Sequence, residues 1–190
     1  MKLLFLHGLE GSPRGQKPSW LRNAGHEVIA PDLDTSAVRT HLDGWNAGGR
    51  PDVPMPPATW SIPLSTAQAA LSTPGIDVVV GSSFGGGLAM ELVRLGRWRG
   101  PLLLLAPAGR KLFGISTVEV SRLAILHGRH DDVVPLADSI ALARDAHADA
   151  TIRIVNDDHR LTASVAAGLM GELLVLLGDH QSGAGRHPPS

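Results

Sequence analysis

The chain has 190 residues, room for one compact domain of five or six strand–helix units. Apolar residues make up 43% and charged residues 18%, which excludes a disordered chain or a coiled coil. With 17 basic against 18 acidic side chains there is no basic nucleic-acid footprint, and the lack of cysteine excludes a disulfide scaffold, thiol catalysis and cysteine-ligated zinc.

Taken in chain order, the apolar run at the N-terminus stops at His7-Gly8, too short for the hydrophobic region of a secretory signal. It reads as a first strand, Leu3–Leu6. A short helix spans Pro18 to Ala24, with Gly25 past its end, and a second strand follows at Val28–Ala30. Asp43 to Pro63 is rich in Gly and Pro, carries Trp45 and Trp60 and has no clean periodicity, so it reads as a long loop. Such a loop is placed to cover a site, which makes Trp45 and Trp60 candidate substrate contacts.

Four further apolar runs follow, Val78–Val80, Leu102–Leu105, Leu123–Leu126 and Ile152–Val155. All six are nearly continuous rather than alternating, the mark of strands buried on both faces of a parallel sheet. Pro135 opens a helix with Leu136, Ile140 and Ala143 on one face, and Leu161, Val165, Leu169 and Leu173 form a last stripe ended by Gly178. The expectation is an α/β fold, an open, mostly parallel sheet of about six strands with helices on both faces. One domain is expected over residues 1–178, with a disordered tail over 179–190. No apolar stretch reaches the about 20 residues that a spanning helix needs, so a soluble, cytoplasmic protein is expected.

Gly81-Ser82-Ser83-Phe84-Gly85 follows the third strand directly and matches G-x-S-x-G, with Ser83 at its centre. In that motif the chain turns so sharply from strand to helix that only small residues fit, and the turn holds the serine hydroxyl above the sheet edge. A serine hydroxyl is a weak nucleophile until a positioned base takes its proton. Asp131 lies just past the fifth strand and His159 just past the sixth, so both sit at the sheet edge where ligands of open α/β sheets bind. Taken singly, a strand-end Asp is often a helix cap and a loop His is usually solvated. The order Ser, Asp, His favours joint use. Acyl transfer also needs preset N–H donors for a developing oxyanion. Phe84, after the serine, offers one, and the loop His7-Gly8-Leu9-Glu10-Gly11 offers another at Leu9, with His7 shaping the turn. A metal site built from His127, His130, Asp131 and Asp132, or from Asp157, Asp158 and His159, is the poorer use of these residues. No P-loop or dinucleotide fingerprint is present.

On LFLHGLEGSP at 4–13, GSSFGG at 81–86, HGRHDDVVP at 127–135 and DDHRL at 157–161, the sequence resembles the α/β-hydrolase superfamily. It is most similar to the short bacterial esterase-type members, since only residues 106–122 join the fourth and fifth strands, too few for a large cap. The resemblance implies Ser83 as nucleophile, His159 as general base and acid, and Asp131 as its orienting partner. Gly128 and Val134-Pro135 pick Asp131 over Asp132 in the G-x-x-D-x-x-V-P pattern, with Asp132, Asp157 and Asp158 as fallbacks. The expected activity is that of a serine hydrolase cleaving a carboxylic ester or related acyl bond of a small-molecule substrate, with no cofactor, no metal and no nucleic-acid partner. The alternatives are a non-catalytic binding protein on the same fold, or the same triad applied to thioesters, peptides or carbon–carbon bonds. Oligomeric state has no signature in the sequence.

Overall fold

The computed structural model describes residues 1–48 and 53–178. The expected tail over 179–190 lies outside them. Six strands, β1 (Lys2–Leu6), β2 (Glu27–Ile29), β3 (Val78–Ser82), β4 (Leu102–Leu105), β5 (Glu119–Gly128) and β6 (His147–Val155), form one open sheet. Its order is β2-β1-β3-β4-β5-β6, and every pairing is parallel.

Successive strand residues point to opposite faces, and both faces are apolar, which is why the central strands read as unbroken runs. Leu4, Leu6, Val79, Leu102, Leu104, Leu123 and Ile125 face one core. It is closed by α2 (Ser36–Gly48), α3 (Ser61–Leu71), α4 (Phe84–Arg94) and α5 (Leu136–Asp145). Leu3, Phe5, Val78, Val80, Leu103, Leu105, Ala124 and Leu126 face the other, closed by α1 (Gln16–Asn23), α6 (Thr162–Ala166) and α7 (Leu169–Gly178).

Three sequence expectations need correction. The stretch Asp43 to Pro63 is not one long loop: α2 runs into it to Gly48, a 3₁₀ turn occupies Pro57–Trp60, and α3 begins at Ser61. The reason is the stripe Val38, Leu42, Trp45, spaced i, i+4, i+7, which packs on the core and outweighs the helix cost of Gly44. The final stripe is also two helices rather than one, because Gly168 breaks it with a φ of +83°. Finally, β6 is longer than its apolar run. As an edge strand it alternates between exposed and half-buried residues, so its first half carries no continuous signal.

Register brings the strand ends level. Leu6 pairs with Gly81, Ser82 with Leu105, Leu105 with Leu126, and Gly128 with Val155. The loops that follow β1, β3, β5 and β6 therefore open at one rim.

The turn from β3 into α4 is fixed by two close approaches. A Cβ on Gly81 would lie 2.6 Å from the Gly85 carbonyl oxygen, and one on Gly85 would overlap the carbonyl of Leu6. Neither neighbour is a flexible side-chain tip, so the backbone would have to move. Gly85→Ala is expected to lower unfolding free energy by about 2–3 kcal/mol, the cost of overpacking against backbone, as read by urea denaturation. An unchanged midpoint would contradict this packing.

Candidate active site

Ser83 sits at the apex of that turn with φ 53° and ψ −116°, a conformation L-residues rarely adopt. It is held from three sides. Its N–H donates to the Leu105 carbonyl (2.9 Å), and its own carbonyl accepts from the N–H groups of Gly87 (3.1 Å) and Ala108 (3.0 Å). The chain around the serine is thus locked to β4 and to α4, and the hydroxyl stands partly exposed above the rim.

His159 lies on the loop after β6, whose shape is set by its acidic residues. Asp157 accepts from the Ser164 N–H and hydroxyl, both at 2.8 Å, and so satisfies a first-turn N–H of α6, while Asp158 accepts from the Arg160 N–H at 2.8 Å. Lys17 on α1 donates to the Arg160 carbonyl at 2.7 Å. On its near side the loop abuts Gly128, where any Cβ would overlap the Asp157 carbonyl. Asp157 and Asp158 are therefore occupied in building the loop.

The structure brings Ser83, His159 and Asp131 into one chain of hydrogen bonds. His159 Nδ1 is 2.7 Å from Asp131 Oδ2, and His159 Nε2 is 2.9 Å from Ser83 Oγ. An ionised carboxylate only accepts, so Nδ1 carries the proton and Nε2 presents its lone pair to the serine hydroxyl. The His159 side chain is 18% exposed, whereas that of Asp131 is fully buried. Asp132, on the exposed side of the same loop, is not part of this chain.

Asp131 is enclosed by donors. Oδ1 accepts from the N–H groups of Val133 (2.8 Å) and Val134 (2.7 Å), and Oδ2 accepts from His159 and lies 3.1 Å from His127 Nε2. Burial alone would push its carboxyl up, but the bonds from His127, His159 and the Val134 N–H outweigh it and hold it well below the usual carboxylate range. A carboxylate depressed in the fold adds stability that is fully present above its unfolded value of about 3.9 and is lost as pH falls below it. Unfolding free energy is expected to decline below about pH 4, with a shallower decline in Asp131→Asn. Parallel acid titrations of the two proteins would contradict that contribution.

The first loop packs against the serine: a Cβ on Gly8 would be 3.2 Å from Ser83 Cβ and 3.8 Å from Ser83 Oγ. His7, buried beneath it, accepts the Leu33 N–H on Nε2 at 3.1 Å, so Nδ1 bears the proton and donates to the Gly8 carbonyl at 2.8 Å. That carbonyl also accepts from the Gly11 N–H at 3.0 Å. The Gly8 carbonyl and the Leu9 N–H belong to one trans peptide, so anchoring the oxygen directs the N–H the opposite way. Arg39 of α2 grips the next carbonyl, that of Leu9, through Nη2 and bonds Thr35 Oγ1 through Nε at 3.1 Å. Among the described hydrogen bonds, none uses the N–H of Leu9 or of Phe84. Phe84 is the first residue of α4, where the N–H has no partner within the helix and the dipole favours negative charge.

Of the two tryptophans, the structure buries Trp60 in the core. Trp60 is 5% exposed and packs on Phe113, which packs in turn on Phe84, at ring separations of 5.0 and 5.5 Å. It is part of the core behind α4. Trp45 is half-buried and meets His41 edge-on at 4.6 Å. Between β4 and β5 there is a single π-helical turn, Gly109–Phe113, and no inserted cap. Two residues the sequence reading left without a role stand close to the site: His127, considered there only as a metal ligand, and Arg39. Each also has a partner from a distant element, Ser139 for His127 and the Leu9 carbonyl for Arg39, which spacing does not show.

An open parallel sheet with a strained serine at the β3–α4 turn, and Asp and His following β5 and β6, defines the α/β-hydrolase fold. The chain resembles the compact members of that superfamily. No family model matches it, and no curated protein does. Among solved structures it is similar to a protein from Xanthomonas campestris pv. campestris assigned to the hydrolases of the alpha/beta superfamily. The two are 28% identical with a TM-score of 0.63, over 93% of this chain and 99% of that one. It also shares its fold with dienelactone hydrolase from Anabaena variabilis ATCC 29413 (18% identity, TM-score 0.64, 94% of this chain and 85% of that one). The same holds for a metagenome-derived lipolytic enzyme (14% identity, TM-score 0.63, 94% of each chain). Among the described residues no helix is long and apolar enough to cross a membrane.

Proposed function

We propose that this chain is a serine hydrolase that cleaves a carboxylic ester or related acyl bond of a small substrate through an acyl-enzyme. The observation that carries the reading is the unbroken hydrogen-bond chain from Ser83 Oγ through His159 to Asp131. His159 Nε2 takes the Ser83 proton as Oγ attacks the substrate carbonyl, and the imidazolium formed is stabilised by Asp131. The N–H groups of Phe84 and Leu9 receive the oxyanion. Collapse of the tetrahedral species breaks the acyl–oxygen bond, and His159 returns its proton to the leaving alcohol. Water then attacks the acyl-enzyme with His159 again as base, releasing the acid and regenerating Ser83. The hydrolase neighbours support the reaction class. The short β4–β5 connection holds no inserted cap, in keeping with the compact hydrolases it resembles.

Treatment with a fluorophosphonate, with the adduct located by mass spectrometry, tests the reading. One adduct is expected, on Ser83, lost in Ser83→Ala and in His159→Ala. A folded protein that gains no adduct would overturn it in favour of a binding role for the same fold.

A further inference from the structure

His127 closes β5 and is completely buried, as is Ser139 on α5. Its Nε2 faces only acceptors, Asp131 Oδ2 at 3.1 Å and the Val134 carbonyl at 3.2 Å, so Nε2 carries a proton. Its Nδ1 is 2.7 Å from Ser139 Oγ, which pairs with it. Its Nε2–H therefore points at the carboxylate oxygen that also holds His159. Two imidazoles share one oxygen, one reaching the rim and the other anchored in the core. With every polar atom of the buried histidine and serine paired, the desolvation cost is offset and the network holds one fixed geometry.

From this arrangement we infer that His127, held by Ser139, is a positioning residue: it fixes Asp131 Oδ2 and withdraws part of its negative charge from His159. The inference rests on the proposed triad. The other charged groups near the pair are accounted for. Lys111 donates to the Val133 carbonyl, Arg110 lies 3.9 Å from Asp138 on α5, and His130 bonds Asn156. Asp157 is spent on Ser164 and Asp158 on Arg160, while Asp132 faces solvent. Of these groups, His127 alone shares an oxygen with His159. Without its N–H, more charge remains on Oδ2, the His159 imidazolium is favoured, and less of the ring is free to act as base at a given acidic pH.

The experiment compares wild type, His127→Leu/Ser139→Ala, His127→Gln and Ser139→Ala. Two quantities are read: the pH profile of Ser83 labelling by a fluorophosphonate, and the low-field proton resonance of the His159 Nδ1–H···Asp131 bond. The double variant removes the donor without orphaning the serine, whereas Gln restores an N–H near the Nε2 position. Labelling by the double variant is expected to fall roughly tenfold, the scale of one charge-assisted hydrogen bond, with the acid limb moved to higher pH and the low-field resonance shifted. His127→Gln is expected to recover most of the rate and the position of the limb. A double variant with the wild-type profile and resonance would overturn the inference, and so would a loss equal at all pH values that Gln does not rescue. If wild-type Ser83 does not label, the triad reading fails, and the resonance still decides whether His127 sets the Asp131–His159 bond. Should the double variant not fold, Ser139→Ala and His127→Gln carry the same comparison.

Discussion

Ser83→Ala is expected to lower kcat/KM on a cleaved ester by about 10⁴-fold or more while leaving the fold intact, the scale seen when a triad nucleophile is removed elsewhere. In the proposed mechanism the hydroxyl supplies the attacking atom, and among the described contacts it bonds only His159. The backbone that strains the turn is held by Leu105, Gly87 and Ala108 through main-chain groups, which alanine keeps. Circular dichroism and the thermal midpoint should match wild type within the error of measurement. Turnover within tenfold of wild type would remove Ser83 from the mechanism. A collapsed thermal midpoint would mean that the hydroxyl supports the turn.

Asp131→Asn is expected to damage both activity and stability. All four groups that face the carboxylate donate: the N–H groups of Val133 and Val134, His159 Nδ1 and His127 Nε2. An asparagine must aim its NH₂ at one of the two pairs in either orientation, so a buried donor always meets donors. If the amide nitrogen faces His159, that ring is driven to the other tautomer, and Nε2–H can no longer take the serine proton. A loss in kcat/KM of about 10⁴-fold is expected, by analogy with the same substitution in another triad. A stability loss of about 2–3 kcal/mol should accompany it, read by denaturant titration at neutral pH. Activity within a factor of ten of wild type would show that another carboxylate orients His159.

These expectations rest on residues of unequal visibility in the sequence. Ser83 could be read because the turn it occupies demands glycine at 81 and 85, so geometry leaves a mark on the letters. Asp131 and His159 could be placed at the rim because each follows an apolar run, and a parallel sheet carries such runs to the same edge. The helix α2 stayed hidden because Gly44 and Gly48 mask a stripe whose value comes from packing. The break at Gly168 was missed because the stripe Leu161, Val165, Leu169, Leu173 keeps its period across it. His127 and Arg39 also bond Ser139 and the Leu9 carbonyl on distant elements, and such pairings leave no periodic trace. Trp60 looked available only because its segment looked like a loop; its burial depends on where the Pro57–Trp60 turn docks.

The bond between Ser83 and His159 joins positions 76 residues apart, and His159 follows the last strand to be made. On the proposed triad, a chain that has assembled β1 to β5 already holds the serine and its carboxylate but lacks the base. Competence to react would then switch on only when β6 docks at the sheet edge, at the far end of the strand order. In a refolding experiment, the return of Ser83 reactivity should time that final docking step, lagging behind the burial of the central strands.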